Sequence, residues 1–257
     1  MIRLFLADVH ANLHAFEAVL EDAPAADEIY FLGDIVGCGP HPAACVDLLR
    51  SISPRAILGN HDQAILARTP STGPLPVPVD WDQWSRHQLS DGQIDYLSSL
   101  PIETTAQSCG RTVTLIHRSS VPIYLHPAMP DQLIATYFRD LPGDAVYCAH
   151  SHRPIAREID GRRLVCLSTV GQPRNGDTRA GYAVEENGKL HFHSVPYDVE
   201  RTIADLQPIG LHPEFLDRWM RFTRTAADPE WSREYDPNQP TEIPAFPPLN
   251  PDFGKQP

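Results

Sequence analysis

Five short apolar runs, each closing on an Asp, Asn or His, set the strongest limit on how this chain folds. Ile2 to Ala7 runs into Asp8-Val9-His10, Ile29 to Leu32 into Gly33-Asp34, and Ala56 to Leu58 into Gly59-Asn60-His61-Asp62. Val113 to Ile116 leads to His117, and Val146 to Ala149 leads to His150-Ser151-His152. Short runs of this composition read as buried strands. In parallel α/β sheets, sites assemble in the crevice beyond the carboxyl ends of strands. Five independent strands therefore deliver metal-type side chains to one rim. A lone Asp-x-His or His-x-His usually marks a surface or core histidine; all five stations in order mark a site.

The intervening segments carry helical spacing. Leu13, Phe16, Val19 and Leu20 form one apolar stripe, and Cys45, Leu48 and Leu49 another, with Pro42 near its start. Leu164 to Val170, Tyr182 to Val184 and Leu190 to Val195 read as strands of a second sheet. The last two are joined by a hairpin turn in which Asn187-Gly188 supplies positive φ. Strand–helix alternation followed by hairpin-linked strands suggests two packed sheets with helices outside, although the pattern alone does not fix that architecture.

Two segments break the rhythm. Thr69 to Asp80 holds Pro70, Pro74, Pro76 and Pro78 and reads as an extended loop. It leads to Trp81 and Trp84, which either cover a cleft or pack a helix. The tail from Asp228 to Pro257 is too rich in proline for regular helix or central strand, and its Trp231, Tyr235, Phe246 and Phe253 suit a surface wrap. The expected organisation is a catalytic domain over residues 1–227 and a proline-rich tail over 228–257.

A length of 257 residues allows one large α/β domain or two small ones, and 42% hydrophobic with 21% charged residues is ordinary for a soluble globular protein. The apolar N-terminus reaches Asp8 too soon for a signal peptide or a membrane span, so the expected location is cytoplasmic, away from membranes. The net charge of -12 argues against nonspecific binding to nucleic acid or anionic lipid. Bound divalent metals would still reverse the potential locally for an anionic substrate. The five cysteines show no Cys-x-x-Cys spacing. Cys45, Cys109, Cys148 and Cys166 read as buried free thiols, and Cys38, in a loop beside a ligand-type residue, as structural.

The order of the stations resembles that of the calcineurin-like metallophosphoesterases. The resemblance implies an α/β, four-layer αββα sandwich of two mixed sheets. It also implies one metal held by Asp8, His10, Asp34 and His152, and a second held by Asp34, Asn60, His117 and His150. The donor mixture suits Mn²⁺, Fe, Zn²⁺ or Ni²⁺ and lacks the thiolates of a structural zinc site. In such sites the ions, roughly 3.5–4 Å apart, clamp a phosphoryl group and hold a bridging hydroxide for in-line attack. His61, the histidine left over, corresponds to the family's proton donor to the leaving oxygen, a role typically worth about 10²–10⁴ in rate. Two departures stand out: the glycine of the family's Gly-His-x-His is Ala149, and the isolated histidine is followed by Arg118 instead of Gly. If that position needs positive φ, Arg118 is strained; otherwise it points either at substrate phosphate or at solvent.

Finer matches extend to about Thr225. Asp8 to Leu13, Gly33 to Pro40 and Val170-Gly171-Gln172-Pro173-Arg174 resemble a bacterial and archaeal subgroup, some members of which hydrolyse diadenosine tetraphosphate and others simple phosphate esters. Arg174 is either a phosphate clamp or a salt-bridge partner. Asn12 is either a helix-start residue or a substrate contact. His14, His41, His87, His126, His191, His193 and His212 lie outside the motifs and receive no chemistry; His191 and His193, alternating on a strand, are expected to face outward. The expected substrate is a small phosphorylated molecule, nucleotide-like. The opposing class is a silent scaffold of the same fold, as in the retromer subunit that resembles this family, and the complete ligand set with His61 argues against it. A nuclease reading lacks a basic, aromatic-interleaved patch.

Overall fold

Alternation along each strand decides which face it gives to which layer. In the computed structural model, which describes residues 1–69, 79–118, 124–211 and 213–227, β1 (Ile2–Leu6) turns Leu4 and Leu6 one way and Phe5 the other. Leu4 and Leu6 pack with Phe16 and Val19 of α1 (Leu13–Asp22) and with Val46 and Leu49 of α2 (Pro42–Ser51). Phe5 packs instead with Tyr30, Val113, Leu115, Tyr147 and Val165, which belong to strands of both sheets. On the far side, Val146, Cys148, Leu164 and Cys166 bury Ile134 and Phe138 of α6 (Asp131–Phe138). Helix, sheet, sheet and helix follow in that order, giving the four-layer sandwich.

The first sheet has the order β10-β9-β1-β2-β3, adding β2 (Glu28–Phe31), β3 (Arg55–Ala56), β9 (Ala180–Glu186) and β10 (Lys189–Val195). Strands β1, β2 and β3 run parallel, and β9 joins β1 antiparallel. The second sheet has the order β4-β5-β6-β8-β7, built from β4 (Glu103–Ser108), β5 (Arg111–Ile116), β6 (Ala145–Cys148), β7 (Ile155–Ile159) and β8 (Arg162–Cys166). Its centre, β5-β6-β8, is parallel, and its edges β4 and β7 are antiparallel.

This corrects the expected division of strands. Tyr182 to Val184 and Leu190 to Val195 extend the first sheet, while Val113 to Ile116 and Val146 to Ala149 belong with β8 in the second. Leu167 to Val170 also leaves the ladder: the Val170 amide donates to Ala7 O at 3.0 Å and Thr169 Oγ1 to Asp8 O at 2.8 Å. Those bonds fasten the segment after β8 across the end of β1. The hairpin turn is as expected, with φ of 51° at Asn187 and 77° at Gly188. Cys109 is exposed rather than buried, because it sits with φ of 50° in the β4–β5 turn.

Trp81, in α4 (Val79–His87), is fully buried and packs edge-on against Phe215 and Trp219 of α8 (Pro213–Thr225), with ring centroids 5.7 and 5.1 Å apart. Of the two readings of that tryptophan, it packs a helix. Most of the expected loop (70–78) and the whole proline-rich tail (228–257) lie outside the described residues. No described helix is long and apolar enough to cross a membrane.

A buried ion pair within the first sheet is tied by a hydrogen bond to the second. Arg3 of β1 donates to Glu185 of β9 at 3.0 Å and to Glu28 of β2 at 2.8 Å, and Tyr147 of β6 donates to the other Glu185 oxygen at 2.9 Å. Removing one member of such a pair strands the other charge away from water. Arg3→Met is expected to lower unfolding free energy by about 3 kcal/mol, with Arg3→Met/Glu185→Leu recovering part of it in urea titrations. A loss under about 0.5 kcal/mol, the ordinary range of a surface change, would show that water already solvates Glu185.

Candidate metal centre

All seven ligand-type residues of the sequence analysis meet at one end of the two sheets, and all are buried. Asp8 and His10 follow β1, Asp34 follows β2, Asn60 opens α3 (Asn60–Ala67) after β3, His117 follows β5, and His150 and His152 follow β6. Five of the seven stand in the left-handed backbone region: φ is 54° at Asp8, 48° at His10, 59° at Asp34, 69° at His150 and 57° at His152. For a residue with a Cβ this costs of order 1–3 kcal/mol and survives only where surrounding structure enforces it.

The side chains form two groups. The ligating atoms of Asp8, His10 and His152 all lie within 4.8 Å of one another, and so do those of Asp34, His117 and His150. In the first, His152 Nε2 is 3.1 Å from His10 Nε2 and 3.3 Å from Asp8 Oδ1. In the second, His117 Nε2 is 3.1 Å from both Asp34 Oδ2 and Asn60 Oδ1. Asp34 Oδ2 is also 3.8 Å from His10 Nε2, so this carboxylate stands between the groups. The far ring nitrogens are tied to backbone, His117 Nδ1 to Leu32 O and His152 Nδ1 to Gln172 O, each at 2.6 Å. Such outer bonds fix the ring so that Nε2 faces the centre.

His150 Nε2 is buried there without a hydrogen-bond partner, while Asp8 Oδ1 and Asp34 Oδ2 face imidazole nitrogens, His152 Nε2 at 3.3 Å and His117 Nε2 at 3.1 Å. Buried polar atoms are costly unless paired, and here they converge on one another. Carboxylate, amide oxygen and neutral imidazole together suit borderline divalent cations. Cys38 does not join them as a thiolate: its Sγ is 3.9 Å from His61 Nδ1, and burial pushes the thiol's pKa well up.

Charge in the pocket is finely divided. Burial, and then His61, holds His10 well below the usual histidine range; burial, and then His117, does the same to His150. Burial would lower His117 too, but Asp34 overrides it and raises His117 to about 9. Asp34 in turn is held well below its usual value, burial notwithstanding, by His117 and His61. Asp34 and His117 thus each favour the other's ionised form, and a metal bound between them would compete with the His117 proton.

His61 belongs to neither group. Its amide donates to Asp34 Oδ1 at 2.8 Å, and its ring meets that of His10 edge-on with centroids 4.9 Å apart. Arg174 is buried; it bonds Gln172 Oε1 at 2.7 Å, leaves its Nε unpartnered, and sets its guanidinium 5.7 Å from the Tyr124 ring centroid. It has no ion pair with a described carboxylate. Arg118 is half-buried, close enough to Asp34 and Tyr124 to feel their charge, and lies outside the left-handed region, so the strain considered for it does not arise. Asn12 caps α1, accepting from Ala15 N at 3.2 Å and donating to Gly171 O at 3.0 Å and Tyr197 at 3.2 Å.

Two residues at the site carried no assignment from sequence. Tyr124 stacks on His150 with centroids 4.4 Å apart. Asp62 accepts four backbone N–H bonds, from Asp34 at 2.8 Å, Gly59 at 2.9 Å, Ile35 at 3.0 Å and Val36 at 3.1 Å. It thereby clamps the Asp34 loop to the Asn60 helix. The two loops press so closely that a Cβ on Gly59 would stand 2.0 Å from Asp34 Oδ1, and one on Gly33 2.4 Å from Gly59 N. An acidic residue in the first turn of a helix was the available signal for Asp62, whereas Tyr124 follows a segment with no readable period.

The profile of the calcineurin-like phosphoesterase superfamily domain matches residues 1–188. Over 85% of its length the chain superposes on 98% of a metallophosphoesterase from Sphaerobacter thermophilus, at 32% identity and a TM-score of 0.71. The chain belongs to the calcineurin-like phosphoesterase superfamily. Within it, the chain is 28% identical to an uncharacterized protein of Methanocaldococcus jannaschii, covering 82% of this chain and 93% of that one. It is also 30% identical to a symmetrical bis(5'-nucleosyl)-tetraphosphatase of Acidovorax ebreus, over 46% of this chain and only 43% of that protein.

The clamp makes a testable demand. Asp62→Ala strands four buried amides, each worth about 1–3 kcal/mol, so denaturant unfolding should show a loss of at least about 3 kcal/mol together with weakened metal retention. Stability within about 0.5 kcal/mol of wild type would show that the loops hold without it.

Proposed function

We propose that this protein is a dinuclear-metal phosphoesterase that hydrolyses a phosphate ester or anhydride, with a nucleotide-like substrate such as diadenosine tetraphosphate. The observation that carries the reading is the pair of adjoining three-residue donor groups, Asp8–His10–His152 and Asp34–His117–His150, with Asp34 Oδ2 reaching to 3.8 Å from His10 of the first. Asp8, His10, Asp34 and His152 would hold one cation; Asp34, Asn60, His117 and His150 would hold the other. Two such ions supply Lewis-acid charge to the phosphoryl oxygens and a nucleophilic water at neutral pH.

The remaining roles fall to residues of the chain. Arg174, with a buried unpartnered Nε, and Arg118 are placed to orient phosphate oxygens. Asn12, its amide engaged internally, holds the start of α1 and with it the His10 loop. His61, beside His10 and outside both donor groups, would give a proton to the leaving oxygen. The nucleotide assignment is supported by the tetraphosphatase relative, although less than half of that protein is matched. The catalytic unit is taken as residues 1–227, since every proposed site residue falls between Asp8 and Arg174.

Metal analysis of purified protein, followed by a parallel screen of p-nitrophenyl phosphate, its bis ester and diadenosine tetraphosphate with added Mn²⁺, tests the proposal. Turnover of none of the three, with metals bound, would overturn it. Asp34→Asn should lose metal and abolish turnover, because a neutral amide cannot balance two divalent charges; two retained metals with more than about a tenth of the activity, a barrier change of only about 1.4 kcal/mol, would refute the bridging role. His61→Ala should keep both metals and slow poor leaving groups far more than p-nitrophenolate, which barely needs a proton. A uniform loss across leaving groups of different pKa would make His61 a structural residue.

A further inference from the structure

A second gathering of donor atoms is built from the starts of α1 and α2 and from α7 (Val199–Leu206). His14 of α1, His41 at the start of α2 and Asp205 of α7 bring their ligating atoms within 4.8 Å of one another. None of the three belongs to the centre described above. His14 Nε2 stands 2.8 Å, and His41 Nε2 3.1 Å, from the same oxygen, Asp205 Oδ2. The two rings meet edge-on with centroids 5.1 Å apart.

We propose that His14, His41 and Asp205 form a further binding site for a borderline divalent cation such as Zn²⁺, separate from the dinuclear centre. Three separate helical elements supply one donor each, and both imidazoles aim Nε2 at one carboxylate oxygen, where a simple clasp between α1 and α7 needs only one. Donors about 2.0–2.2 Å from a tetrahedral ion stand roughly 3.2–3.5 Å apart. A widening of a few tenths of an ångström would admit the ion. The site opens outward, from the buried His14 to Asp205 at 38% side-chain exposure, so water can complete the coordination shell. His41 Nδ1 is buried without a hydrogen-bond partner, which leaves Nε2 as that ring's bonding atom.

Two neutral imidazoles with one carboxylate, and no thiolate, favour Zn²⁺ and its neighbours over Mg²⁺ or Ca²⁺. Arg201, one helical turn before Asp205, adds positive charge and makes this a weaker site than the buried centre. An ion here would fasten α7 to α1 and to the start of α2.

The test counts zinc. Chelator-stripped protein is dialysed against buffered free Zn²⁺ at micromolar concentration, and metal per chain is measured for wild type, His41→Gln, Asp205→Asn and Asp34→Asn. The first two variants should each hold one zinc fewer than wild type, whereas Asp34→Asn, depleted at the centre, should keep the surface ion. Zinc should also raise the melting temperature of wild type more than that of His41→Gln. Equal zinc in wild type and His41→Gln, or no zinc at all in Asp34→Asn, overturns the proposal, and so does a melting difference that zinc leaves unchanged. If Asp205→Asn fails to fold, the partly exposed His41→Gln decides alone. Because the readout is metal per chain, absence of phosphoesterase turnover leaves the result intact.

Discussion

Two carboxylates, Asp8 and Asp34, are withdrawn from water among imidazoles, with the buried Asp62 carboxylate and Arg174 guanidinium close by. Everything at the strand ends answers to that. An uncompensated buried carboxylate costs several kcal/mol even after relaxation. His117, held 3.1 Å from Asp34, is the nearest compensating group, and the carboxylate raises its pKa. Dicationic ligands would compensate far more completely and would engage Asp8 Oδ1, Asp34 Oδ2 and His150 Nε2 together. Left-handed backbone at five of the proposed ligand positions belongs to the same account. It turns each side chain back over its own strand end, at a cost the sandwich beneath must carry.

The sandwich carries that cost by locking loops to one another. Asp62 ties the loop after β2 to the helix after β3 with four amide bonds, and Thr169 ties the segment after β8 to the end of β1. Neither residue would touch an ion. Both act on the positions of those that would, and the clearances around Gly33 and Gly59 show how little movement the loops allow.

The site was legible in the sequence because each donor follows an apolar run, and chain order survives folding. Which sheet each strand joins was not legible. β9 is buried along almost its whole length, so it has no polar face to betray its partner and would read the same in either sheet. Its placement beside β1 is fixed by antiparallel pairing from Ile2 with Glu186 to Phe5 with Ala183, and by Arg3 meeting Glu185 across sequence distance. The edge strands β4 and β7 went unread for the opposite reason: Glu103-Thr104-Thr105 and Arg157-Glu158 are polar enough to pass for loop. Tyr124 and the His14–His41–Asp205 group escaped because neither has a local spacing; only the fold makes them neighbours.

Net charge misleads about the substrate more than about the site. A chain at -12 repels phosphate at long range, yet potentials from exposed carboxylates fade within a Debye length of about 8 Å at physiological salt. Inside the pocket the local balance is set by other groups. Arg174 is buried with its Nε unpartnered, Arg118 is half-buried beside Asp34, and bound cations would outweigh the two carboxylates between them. Arg174 is also constrained by Tyr124 and Gln172, so its guanidinium is preset rather than recruited from solution, and less rotamer entropy is lost on meeting a phosphate. An acidic exterior disfavours long polyanions, which must cross many surface charges at once. Under the proposed function, a small phosphorylated molecule would meet the buried pocket and its preset Arg174 alone.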